Sequence, residues 1–171
     1  FQKLIITAAI CGAEVMKDQD PYLPTTPEEL SDEAKRCYDA GARIVHLHVR
    51  DEEGKPTQNG EIFKHTVALI RQKAPELIVQ VSTGGATWMK PEERLQSLEA
   101  NPDMATLSTG TSNFGSDVFM NTKDMVLTFA QKITEKNIMP EFECFEAGHV
   151  TFANWLINKG YIQRKHYHFD F

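Results

Sequence analysis

Apolar runs and polar breaks alternate along the chain with a steady rhythm. Residues 3–10, KLIITAAI, form an apolar, β-rich run of the kind buried on both faces of a parallel sheet. Residues 11–26 are irregular, with Pro21 and Pro24, and lead to Pro27, which fits the first turn of a helix. Thr26 is its expected N-cap, Glu28 and Glu29 suit the positive end of the helix dipole, and Gly41 supplies the stop after Ala40. The unit then repeats. Strands are predicted over 42–49 (ARIVHLHV), 77–83 (LIVQVST), 104–109 (MATLST), 138–145 (IMPEFECF) and 166–171. Helices are predicted over 61–74, from near Pro91, over 121–136 and near 148–159, and residues 110–120 read as a Gly/Ser/Asn loop.

Strands that alternate with helices imply βαβ units and a parallel sheet, the α/β class. Doubly wound sheets and (β/α)₈ TIM barrels share this pattern. The barrel is favoured because polar groups recur at the C-terminal ends of successive strands, where barrel active sites assemble. A complete barrel takes about 250 residues and eight units. With 171 residues and six predicted strands, the expectation is a single catalytic barrel domain over 1–171, truncated after about six strands and incomplete at its C-terminus. The chain also starts at Phe1 rather than at a methionine, which points the same way.

Composition narrows the function classes. At 41% hydrophobic and 25% charged residues the chain is of ordinary globular type, not disordered. The formal charge of −6 argues against a basic nucleic-acid or membrane surface, and no apolar run approaches the roughly 18 residues of a membrane helix. Cys11, Cys37 and Cys144 are odd in number and widely spaced, which excludes a disulfide framework or a cysteine zinc site and predicts a reducing, cytoplasmic setting.

The sharpest chemical signal is His46-Leu47-His48 near the end of the second strand. Alternation along a strand turns both imidazoles to one face, as a divalent metal such as zinc requires, although two hydrogen-bonded core histidines would read the same way. Glu14 follows the first strand and can bind a cationic group, act as an acid or base, or simply be solvated. Ser82 precedes Gly84-Gly85, a turn that lets a ligand approach the backbone or merely turns tightly. Thr106 and Ser108 share a face of the fourth strand, and Glu141 and Glu143 a face of the fifth. A carboxylate inside a barrel is costly unless paired, so at least one of the two is expected to meet the site, a cation or an arginine. His166, His168 and Asp170 share a face of the sixth strand as further ligands or supports. No P-loop, GxGxxG or Ser-His-Asp order is present.

Taken together, KLIITAAICGAE, CYDAGARIVHLHVRD, VSTGG, ATLSTGTSNFG, PEFECFEAGH and HFDF resemble the β-keto acid cleavage enzymes, in collinear order over nearly the whole chain. The resemblance implies a zinc-containing (β/α)₈ barrel that assembles as a homo-oligomer, commonly a tetramer. It implies conversion of a β-keto acid plus acetyl-CoA into acetoacetate and a new acyl-CoA. Here the acid would carry an amino group and the product would be 3-aminobutyryl-CoA, in lysine fermentation. It assigns His46 and His48 as zinc ligands, and Ser82, Gly85 and Thr106 as substrate contacts. Glu14 becomes the partner of the substrate amino group, and Glu143 a carboxylate near the reacting groups. The family's third zinc ligand, a glutamate, is expected beyond residue 171, with an arginine and an aspartate of its machinery. The parent protein is therefore expected to be an enzyme and this segment alone to be inactive. The stretch from Gln163 to Tyr167 departs from the family pattern, and no CoA-contacting motif stands out. The competing readings are a zinc hydrolase of the amidohydrolase kind, whose HxH belongs on the first strand, and a non-catalytic truncated barrel.

Overall fold

The structure is a computed structural model and describes residues 4–171, so Lys3 of the first predicted strand lies outside the described residues. In chain order the elements are β1 (Thr7–Ala9), α1 (Pro27–Asp39), β2 (Ile44–Leu47), β3 (Val49–Arg50), β4 (Pro56–Thr57), α2 (Gly60–Lys73) and β5 (Ile78–Val81). There follow α3 (Pro91–Arg94) running into a 3₁₀ turn (Leu95–Ala100), β6 (Met104–Ser108), β7 (Ser112–Phe114), β8 (Asp117–Phe119) and α4 (Lys123–Glu135). β9 (Met139–Glu143), α5 (Ala147–Asn158) and β10 (His168–Asp170) complete the chain.

Six strands form one parallel sheet in the order β1-β2-β5-β6-β9-β10. Each new strand is added on the same side as the last. That single direction of winding belongs to a barrel, whereas a doubly wound sheet reverses about its first strand. The sheet is curled, because Thr7 of β1 and His168 and Asp170 of β10, its two edge strands, bound one interior cavity of about 370 Å³ with His46, Gln80 and Glu141.

Alternation explains the layering. Val45 and Leu47 of β2, Val79 and Val81 of β5, Ala105 and Leu107 of β6 and Phe142 of β9 pack outward in one core with the helices. Leu30 and Ala34 of α1, Phe63, Val67 and Ile70 of α2, Phe129 and Ile133 of α4 and Leu156 of α5 meet them there. Each such large side chain contributes roughly 1.5–3 kcal/mol by leaving water. The opposite parity, carrying His46, Gln80, Glu141 and Glu143, is left for the interior. Thr26 caps α1 as expected and forms a reciprocal capping box with Glu29, while Asn59, not marked in the sequence, caps α2 by accepting from the Glu61 and Ile62 amides.

Four features differ from expectation. The first strand shrinks to three residues, since no neighbour covers the apolar run before it and Leu4 is 85% exposed. The strand predicted over 42–49 breaks at His48, and Val49–Arg50 leave the sheet to pair antiparallel with Pro56–Thr57. Residues 110–120 are not a plain loop but hold the β7–β8 hairpin, turned at Gly115 with φ +61. The sixth strand spans only His168–Asp170, so His166 lies outside it, exposed, and shares no strand face with them.

Candidate active site

The C-terminal ends of β1, β2, β5 and β9 open on a cavity of about 430 Å³. Glu14, His46, His48, Ser82, Gly85 and Glu143 all line it. His46 reaches it because Val45 and Leu47, of opposite parity, are fully buried in the outer core. Parallel pairing sets His46 beside Gln80, and the Nδ1–H of His46 donates to Gln80 Oε1 at 2.7 Å. That bond fixes the ring and leaves Nε2 with its lone pair, the usual arrangement behind a metal-binding imidazole. The His48 ring centroid lies 5.1 Å from that of His46, with the planes tilted by 58°. Burial, with the neighbouring His46 and Arg50, pushes His48 down to about 3, so it is neutral at pH 7. Two imidazoles from one short stretch, that of His48 held neutral, thus converge on one space and suit a divalent ion. Among the described residues no third His, Cys, Asp or Glu completes a ligand group of three with them.

The turn after β5 is built for close approach. Ser82 Oγ accepts from the Gly84 amide at 3.1 Å, which leaves the hydroxyl proton to donate elsewhere. Gly85 has φ +63, which other residues rarely adopt, and a Cβ there would lie 2.6 Å from Met89 Sδ, so the turn favours glycine. Thr106 supports this turn from below: its hydroxyl accepts from the Thr83 amide at 3.1 Å and its carbonyl from the Thr83 hydroxyl at 2.8 Å. Fully buried, it does not line the cavity as Ser82 and Gly85 do.

Arg94, which the sequence reading passed over, ties that turn to the hairpin. It donates to the Thr83 carbonyl at 2.8 Å, the Met120 carbonyl at 3.0 Å and Asn121 Oδ1 at 2.7 Å. Its guanidinium also sits 4.8 Å from the Phe119 ring centroid and 4.9 Å from that of Phe129. Burial lowers its pKa to about 10, which still leaves it charged at pH 7. Phe114 and Phe119 of the hairpin, with Phe145, give the mouth an apolar side. His149 steadies the neighbouring loop: Nδ1 accepts from the Phe145 amide and Nε2–H donates to the Thr111 carbonyl, both at 3.3 Å.

Register places Ser108 beside Glu143, and the serine hydroxyl donates to Glu143 Oε2. Glu143, Glu141 and Asp170 form a carboxylate cluster with oxygens within 4.8 Å of one another. Burial raises the Glu143 pKa, the Ser108 bond and His46 oppose that rise, and the two neighbouring carboxylates add to it. Glu141 lies 3.0 Å from His168 Nε2 in the interior cavity, so the partner beside this carboxylate is a histidine, where the alternative reading had an arginine. Glu14 stands exposed at the rim of the mouth, where Asp20 is a second carboxylate not singled out in the sequence.

The chain is 49% identical over 172 aligned residues to the 3-keto-5-aminohexanoate cleavage enzyme of Fusobacterium nucleatum, covering 100% of this chain and 63% of that protein. It is 38% identical to the 3-oxoadipate:acetyl-CoA acetyltransferase of Cupriavidus necator, over 85% of this chain and 51% of that one. The chain therefore spans less than two thirds of the length of these curated relatives. Among solved structures, the complex of ObcA with a C4-CoA adduct and oxalate superposes with a TM-score of 0.73 at 23% identity. It covers 81% of this chain and 34% of that one, which speaks to the barrel-like fold alone. The family model for beta-keto acid cleavage enzyme matches residues 3–171, and the chain belongs to that family.

Proposed function

We propose that this chain carries the metal-binding strand and the substrate cavity of an enzyme that cleaves a β-keto acid bearing an amino group, 3-keto-5-aminohexanoate being the best fit. Acetyl-CoA is the co-substrate, and acetoacetate and 3-aminobutyryl-CoA are the products. The observation that carries this reading is the convergence of His46, His48, Ser82, Gly85, Glu143 and Glu14 on one cavity. His46 and His48 would hold a zinc ion, which when bound supplies a Lewis acid for carbonyl and carboxylate oxygens. The orientation of His46 by Gln80 and the neutrality of His48 support that fit.

The remaining chemistry is the work of the chain's own groups. Ser82 donates its hydroxyl proton to an anionic oxygen seated over the glycine turn. Glu143, with its pKa raised by burial, is suited to exchange a proton with the substrate. Glu14 at the rim pairs with the ammonium group, while Phe114, Phe119 and Phe145 exclude water from the reacting end.

The test supplies the purified parent protein with the amino-bearing β-keto acid, with and without acetyl-CoA, and follows acetoacetate and bound zinc. Acetoacetate formed only with acetyl-CoA, and zinc and activity both lost in His46→Ala and His48→Ala, is the expected result. Product released without acetyl-CoA would point instead to a hydrolase. Full activity in both histidine variants would overturn the metal assignment.

A further inference from the structure

We infer that Arg50 is a positioning residue for substrate selectivity, acting through the Glu14 loop. This inference rests on Glu14 as the partner of the substrate ammonium. Arg50 is only 2% exposed, yet none of its hydrogen bonds goes to a carboxylate. Its Nη2 donates to the Gly12 carbonyl at 2.5 Å and to the Val15 carbonyl at 2.8 Å, so the two bonds bracket Ala13 and Glu14. Its Nη1 donates to the Gly54 carbonyl at 3.1 Å and to Met16 Sδ at 3.1 Å. The carboxylate next in sequence is engaged elsewhere: Asp51 Oδ1 accepts from the Glu53 amide at 2.9 Å and the Lys55 amide at 2.8 Å.

A buried cation is costly unless something offsets its lost hydration, and here three carbonyl oxygens accept from its two Nη groups, while its buried Nε–H has no partner. The planar fork of a guanidinium can reach two neighbouring carbonyls of one loop and a third on the β3–β4 ribbon at once, which an ammonium cannot. Nothing comparable holds the loop otherwise. Among the described residues, no backbone hydrogen bond outside the helices and strands involves residues 12–15. The Cys11 thiol, donating to the Gly12 carbonyl at 3.4 Å, adds one weak contact. Arg50 therefore fixes the separation between Glu14 and His46 and His48, because it leads directly out of the strand end that bears both histidines. A substrate with its ammonium on Glu14 and its keto acid at the deep end needs that separation held. A substrate without an ammonium does not.

The experiment measures kcat/KM of the purified protein for the amino β-keto acid and for a neutral analogue with a methyl group in place of the ammonium. Arg50→Lys and Arg50→Gln are expected to cut the preference for the cationic substrate about 10- to 100-fold, mainly through KM, while the neutral analogue changes little. Combining either with Glu14→Gln should add nothing to Glu14→Gln alone. If Glu14→Gln leaves the preference unchanged, the Glu14 reading fails and the role of Arg50 fails with it. If Glu14→Gln abolishes the preference while the Arg50 variants keep it, or if they weaken both substrates equally, only the role of Arg50 is overturned. Should neither Arg50 variant fold, ¹⁵N order parameters in the unaltered protein decide. Values near 0.85 across residues 12–16 fit a pinned loop, and values below about 0.6 overturn it.

Discussion

The wall of the cavity that carries Ser82 and the wall that carries Glu14 are each fastened by a buried arginine, but to different kinds of support. Arg94 joins the β5 turn to the hairpin and is sandwiched by Phe119 and Phe129, so Ser82 and Thr83 are almost completely buried. Arg50 holds an exposed loop by its carbonyls, with Glu14 open to solvent at the rim. Under the proposed function the contrast divides the labour of the site: the deep wall would meet the oxygens that change charge during reaction, where small displacements are expensive, and the outer wall the end of the substrate that does not react.

The largest expected effect on the deep wall is that of Glu143→Gln. Activity should fall by about 10²–10⁴ if Glu143 moves a proton, with substrate binding much less affected. Stability should move the other way. A carboxyl whose folded pKa lies above its unfolded value binds more protons when folded, so it costs stability as pH rises from about 4.5 through the folded value. Glutamine lacks that titration, so chemical denaturation near pH 7 should show the variant to be at least as stable as the parent. The ascending limb of the pH–rate profile should lie above the ordinary carboxylate range. A limb near pH 4, or a variant with full activity, would remove Glu143 from the reaction.

Arg94→Met comes next and sharpens the contrast with Arg50. It strands the Thr83 and Met120 carbonyls and the Asn121 side chain, and should cost about 3 kcal/mol, the saved desolvation of the cation included. Because the deep wall serves every substrate, kcat/KM should drop about 100-fold for the cationic substrate and for its neutral analogue alike. A drop confined to the cationic substrate would erase the distinction between the walls.

How far this division could be read from sequence depends on where the partners lie. His46 and His48 were legible because strand alternation alone sends both to one face, and the GG turn because few residues tolerate the conformation of Gly85. The outer core was legible from the same alternation in IVHL, IVQV and MATLS. Arg50 and Arg94 were not. Their bonding partners are mostly main-chain oxygens, which every residue has, and those of Arg50 on the Glu14 loop lie 35 and 38 positions away. The hairpin escaped because its strands are three residues long and largely exposed, leaving no apolar period to detect. The first strand was overdrawn for the opposite reason: Leu4, Ile5 and Ile6 are apolar enough for a buried strand, yet all three are exposed, and of the three only the Ile6 carbonyl meets the neighbouring strand among the described residues.

The smallest expected effect tests how loosely the outer wall is attached beyond Arg50. Lys17 lies just past the Glu14 loop and pairs with Glu29 of α1 at 2.6 Å, with both side chains 43% exposed. Glu29 also accepts from the Thr25 and Thr26 amides, and these contacts with Lys17 hold its carboxyl down at about 2. A depressed carboxyl contributes stability that is present above about 4.5 and lost as pH falls toward 2. Solvent screens the Lys17 part, so Lys17→Met should cost only about 0.5 kcal/mol at pH 7. That difference should shrink in 1 M salt, fall as pH approaches 2 and vanish below it. Thermal unfolding of parent and variant across this range checks it. A penalty that grows in acid, or one of several kcal/mol at pH 7, would mean that the outer wall is held from α1 as firmly as the deep wall is held by Arg94.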